Sequence, residues 1–142
     1  ADLTLTALWI NYMKAGDFNP PHHHSDHLSF VMYPEMPKEI IEENKVFKGR
    51  RNKGGGPGSI SFMYGEDVEQ CISVVTHLPQ TGELFIFPSS LKHWVFPFRS
   101  KVERISVSGN VLFTEDSQKK EEGINLSIGG GGGSNFDHSD RS

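Results

Sequence analysis

The chain has 142 residues, long enough to bury one sizeable core and within the range of a single domain. Its 35% hydrophobic and 11% aromatic residues suit a globular protein, and no run approaches the length needed to cross a bilayer. A formal net charge of −4 argues against a general nucleic-acid or anionic-membrane binder, and the single cysteine, Cys71, excludes an internal disulfide and a cysteine-built zinc site. With no basic region leading into an apolar stretch at the N-terminus, the expectation is a cytoplasmic protein.

Leu5 to Met13 reads as a first strand, closed by the turn residues Lys14-Ala15-Gly16-Asp17. Phe18 to His24 is extended, because Pro20 and Pro21 forbid helix and bias the residues before them toward β geometry. Leu28 to Tyr33 alternates and is rich in β-favouring residues, which predicts a third strand. Pro37 to Asn44 is the one short helix candidate, with proline at its start and asparagine at its end.

Val46 to Gly58 reads as a loop, with Gly54 to Gly58 as its flexible part and the basic cluster Lys48 to Lys53 beside it. The glycines make this loop a candidate lid over a substrate. Further strands are expected at Ser59–Tyr64, Cys71–His77, Gly82–Phe87, His93–Phe98 and Val102–Phe113. Eight short, regularly spaced strands and one helix predict an all-β sandwich or barrel. The division expected is a β domain over 1–113 and a polar, glycine-rich, flexible tail over 114–142.

Three places carry chemistry. Side chains at i and i+2 of a strand share a face, so His22 with His24, or His24 with Asp26, can chelate one ion from an extended segment. Imidazole and carboxylate are donors that suit Fe(II) and similar metals. A lone strand histidine such as His93 is ordinarily a surface or core residue. An early pair plus a late single histidine is nevertheless how a three-ligand site with open positions is built. On the last strand Arg104, Ser106, Ser108 and Asn110 share a face, and inside a closed barrel an arginine there makes a two-toothed carboxylate clamp.

Together these residues resemble the Fe(II)- and 2-oxoglutarate-dependent oxygenases built on the double-stranded β-helix, a jelly-roll or cupin-like barrel. The likeness is greatest to a group of 2-oxoglutarate oxygenases frequent among phage proteins. It rests on Trp9-Ile10-Asn11, Asn19-Pro20-Pro21-His22-His23-His24, Ser29 to Tyr33, Gly58 to Phe62, Leu84 to Ser89, His93, and Arg104 to Asn110. The His93 to Arg104-x-Ser106 spacing is the most specific part.

The resemblance implies that His93 is the distal iron ligand, that Arg104 pairs with the far carboxylate of 2-oxoglutarate, and that Ser106 and Tyr33 assist it. Asn11 and Asn110 would be pocket residues. The family's usual His-x-Asp/Glu pair falls on His22 and His24 when the flanks are matched without a shift, and on His24 and Asp26 with a shift of two. The implied chemistry is hydroxylation with Fe(II), 2-oxoglutarate and O2, on a small molecule or a protein side chain such as proline. A cupin-type metal protein that does not use 2-oxoglutarate, and a non-enzymatic viral structural or binding module, are the alternatives.

Overall fold

The computed structural model describes residues 2–50, 55–65, 73–114 and 125–130. Its strands are β1 (Asp2–Met13), β2 (Asn19–His22), β3 (Leu28–Glu35), β4 (Ile60–Tyr64), β5 (Ser73–His77), β6 (Leu84–Pro88), β7 (Lys92–Val95), β8 (Arg104–Thr114) and β9 (Asn125–Gly130). One helix, α1 (Lys38–Arg50), separates β3 from β4. The strands form two sheets, ordered β6-β3-β8-β1-β9 and β2-β7-β4-β5, in the two-sheet arrangement of a double-stranded β-helix or jelly roll.

Alternation decides what fills the space between the sheets. On β8, Arg104, Ser106, Ser108 and Asn110 are buried, while Ile105 and Val107 between them, and Val111 after them, are only half-buried. Antiparallel register then sets Met13, Asn11 and Trp9 of β1 opposite Arg104, Ser106 and Ser108, so both strands send the same parity inward. The apolar core lies at one end of this space and joins Met13, Val31, Tyr33, Met36, Ile40, Ile60, Phe87, Val95 and Phe98. The polar residues of β1 and β8 thus border an apolar floor.

Four differences from the sequence reading have physical causes. Helix α1 runs on to Arg50 rather than ending near Asn44, because Lys45, Val46 and Phe47 continue the helix without a breaker. Asn44 is not a cap: its Nδ2 donates to the Pro57 carbonyl (2.9 Å) and to Ser59 Oγ (3.2 Å). The second difference follows from it. Gly55, Gly56 and Gly58 are buried, not the surface of a lid. Their φ angles of 108°, 136° and 76° lie where side chains are disfavoured, so these glycines serve close packing rather than mobility.

Gly58 shows this most clearly. A Cβ there would come within 2.4 Å of Ile40 Cγ2. Gly58→Ala is therefore expected to cost about 2–4 kcal/mol, from left-handed strain plus overpacking, measurable as a lower urea midpoint.

Third, β7 ends at Val95 and β8 starts at Arg104, so Phe96 to Glu103, five of whose eight residues fall in the expected strands, is irregular. Pro97 has no N–H to give to a ladder, and Phe98 instead reaches the core. Fourth, Asn125–Gly130, inside the stretch read as tail, is a strand that pairs parallel with β1 from Ala7 opposite Asn125 to Tyr12 opposite Gly130. Cys71, the loop residues 51–54 and the tail positions 115–124 and 131–142 lie outside the described residues. No helix among the described residues is long and apolar enough to cross a membrane.

Candidate metal centre and carboxylate pocket

His22 and His93 face each other across a sheet. They are register partners on β2 and β7, with ring centroids 4.2 Å apart. His24 lies two residues beyond the end of β2, and its ring comes to 5.2 Å from His22 and 5.4 Å from His93. One nitrogen from each of the three falls within 4.8 Å of the others, a spacing at which a single ion can be held. Asp26 is not in this cluster; its Oδ2 accepts a hydrogen bond from Thr6 Oγ1 at 3.0 Å.

The tautomers of two ligands follow from hydrogen bonding alone. His22 Nδ1 lies 2.7 Å from the Pro20 carbonyl oxygen and His93 Nδ1 lies 2.9 Å from that of Leu91. A carbonyl only accepts, so both Nδ1 atoms carry the hydrogen and both Nε2 lone pairs are left for a metal. Phe87 packs edge-on to His93 at 4.9 Å, and Trp9 lies 5.6 Å from His24, which fixes two of the rings from the side.

Burial also favours the neutral form of His22 and His93. It lowers the pKa of His93 to about 4, with the neighbouring His22 pushing the same way, and burial likewise lowers that of His22. The sign for stability is fixed by the order of protonation. Because the folded value lies below the ordinary 6.5, the unfolded chain takes up the proton first as pH falls. The metal-free protein is therefore expected to keep its full stability above pH 6.5 and to lose about 2–3 kcal/mol by pH 4.5 through His93. Urea unfolding at pH 7 and pH 4.5 measures this.

Deeper in the same space lies Arg104, only 3% exposed. Its Nη1 donates to the Gly58 carbonyl oxygen at 2.7 Å, and its Cζ sits 5.3 Å from the centre of the Tyr33 ring. Two groups there, Arg104 Nε and the Tyr33 hydroxyl, are buried and have no hydrogen-bond partner among the described residues. Arg104 joins none of the ion pairs among the described residues. Burial lowers its pKa and raises that of Tyr33, but a guanidinium stays charged in proteins, so a cation without an anion is held here.

A cavity of about 60 Å³ joins these two places, lined by His22, His24, His93, Arg104, Ser106, Tyr33 and Asn11 among others. At the ~10–15 Å³ one water needs on this measure, it holds on the order of four to six waters, the scale of a small organic acid. Asn110 is not among the lining residues; its Oδ1 accepts from Ser29 Oγ at 2.8 Å. Asn19, Trp9 and Ser108 also line the cavity, and Asn19 Oδ1 is a further buried atom without a partner. The alternation of β1 was enough to place Trp9 inward with Asn11; nothing in the sequence separated Asn19 from the prolines it precedes.

Tyr33→Phe isolates the unsatisfied hydroxyl. Removing a buried group that has no partner is expected to leave the empty protein as stable as before or up to about 1 kcal/mol more stable. It is expected to weaken carboxylate binding by about 10–150-fold, the worth of one hydrogen bond to a charged group. Thermal melting and a binding titration on the same variant read the two signs separately.

These features define a class: a jelly-roll protein with three histidines spaced to hold a metal ion and a buried arginine along one cavity. A family model described as "Putative 2OG-Fe(II) oxygenase" matches residues 7–110, well over half of the chain and every residue of the cavity discussed above. The chain belongs to this 2-oxoglutarate/Fe(II) oxygenase family. No curated protein matches it.

Proposed function

We propose that the chain is a non-haem Fe(II)- and 2-oxoglutarate-dependent dioxygenase that hydroxylates its substrate, with His22, His24 and His93 as the metal ligands. The observation that carries this reading is Arg104, a buried cation with an unsatisfied Nε, in the same cavity that His22, His24 and His93 line. Three neutral imidazoles leave a divalent ion's charge uncompensated, and Arg104 adds a third positive charge. A dianionic acid that can reach both ends is the guest that balances them.

The residues fit the group they would hold. Fe(II), with 2-oxoglutarate and O2, supplies the oxidising chemistry, converting the acid to succinate and CO2 while the substrate gains oxygen. The chain's own work is positioning. His22 and His93 present Nε2, because their Nδ1 hydrogens are tied to carbonyls. Arg104 and the Tyr33 hydroxyl donate to the distal carboxylate, with Ser106 beside them. Phe87, Val95 and Ile60 wall the cavity and keep water from the reacting end. The substrate is a small molecule or a side chain such as proline.

The test is succinate formation from 2-oxoglutarate by the Fe(II)-loaded chain in air. Turnover that needs both Fe(II) and O2 is expected. If Fe(II) binds but 2-oxoglutarate is neither bound nor consumed, the three-histidine set would point instead to a cupin-type metal protein.

A further inference from the structure

His22 and His93 are held by a β ladder, whereas His24 lies past the last residue of β2 and has no ladder of its own. Its backbone is tied to the β6–β7 turn at Ser89, and its ring lies against Trp9, His22 and His93. The His24 N–H donates to the Ser89 carbonyl at 2.8 Å, and the Ser89 N–H donates to the His27 carbonyl at 3.1 Å. That pair of bonds closes the segment from His24 to His27 onto the turn from two sides.

Ser89 is in turn fixed by a line of buried side chains. Its Oγ lies 2.8 Å from Ser29 Oγ on β3, and Ser29 Oγ donates to Asn110 Oδ1 on β8, also at 2.8 Å. With its one hydrogen committed to Asn110, Ser29 must accept from Ser89, so the direction of the line is settled. Ser89 and Ser29 are 0% and 2% exposed and Asn110 is 8% exposed, so the line is buried, and Ser29 also borders the cavity.

We propose that Ser89, Ser29 and Asn110 are positioning residues for His24, acting on the metal centre without touching it. This rests on the three-histidine reading above. A polar line across β3, the turn and β8 costs desolvation that apolar residues would avoid. Its one product here is the placement of the Ser89 backbone against His24. Asn110 thereby acquires a role other than contact with the bound acid.

The experiment is a Co(II) titration of the full chain, reading both affinity and the visible spectrum, with melting temperature alongside. Ser29→Ala is expected to weaken Co(II) binding by about 10–100-fold, the range for partners that orient a ligand, and to move the spectrum toward that of His24→Ala. In a His24→Ala background the same change is expected to cost no further affinity. Ser61→Ala is the control. Ser61 is equally buried and bonds Thr76 Oγ1 at 2.7 Å on the other sheet, so it should lower stability and leave Co(II) binding alone.

Ser89→Ala carries the same expectation if Ser29→Ala folds poorly. The proposal is overturned if the variants bind Co(II) like the wild type, if the loss persists undiminished without His24, or if Ser61→Ala matches it. A wild type that binds no Co(II) at all would instead overturn the metal centre itself.

Discussion

Arg104→Met will separate binding from folding. Truncating one side of a buried charge pair costs about 2–5 kcal/mol, so the concentration of 2-oxoglutarate needed for half-saturation is expected to rise by roughly 30-fold to several thousand-fold. The empty protein is expected to behave differently. Arg104 has no counter-anion there, so its loss removes an uncompensated buried charge while giving up one bond to the Gly58 carbonyl. The two nearly offset, and unfolding of the metal-free variant should lie within about 1–2 kcal/mol of wild type. Isothermal titration and urea unfolding give the two numbers. A large loss of stability with unchanged binding would make Arg104 a structural residue.

The proposed metal ligands give the second large effect. His93→Ala removes one of three donors, and Co(II) affinity is expected to fall by more than the ~100-fold that losing an outer partner costs. His24→Ala should do the same. Asp26→Asn preserves the acceptor used by Thr6 and is expected to leave affinity within about twofold, the ~0.5 kcal/mol scale of neutral surface changes. The contrast between His24→Ala and Asp26→Asn decides the ligand set. If Asp26→Asn abolishes binding while His22→Ala does not, the pair is His24 and Asp26.

The difference in how legible these residues were lies in strand geometry. Arg104, Ser106 and Ser108 sit on β8, a long strand where period-two alternation holds, so their shared inward face follows from order alone. Asn110 obeys the same alternation and is buried, yet its Oδ1 already serves Ser29, which no pattern of one strand reveals. The histidines were harder. Beyond His22 the chain is no longer a strand, so the i, i+2 argument for His24 and Asp26 does not extend to them.

Two other features had no one-dimensional signal. The glycines at 55, 56 and 58 read as mobility, because composition records freedom of the backbone and not what packs against it. Here an added Cβ at Gly56 would come within 2.8 Å of Asn44 Nδ2, and one at Gly58 would meet Ile40. The β9 segment carries Gly129 and Gly130, which offer no side-chain alternation, and parallel pairing with β1 is a long-range choice set by the free edge of that strand.

On the proposed function, the histidine cluster and Arg104 form one site for one molecule. Anaerobic titration of the Fe(II)-loaded chain with 2-oxoglutarate, followed by the weak visible charge-transfer band of the chelate, tests it most directly. A saturable band is expected in the wild type, displaced in Arg104→Met to concentrations roughly 100-fold higher. No band in the wild type, or a band in Arg104→Met that saturates at the wild-type concentration, would contradict it.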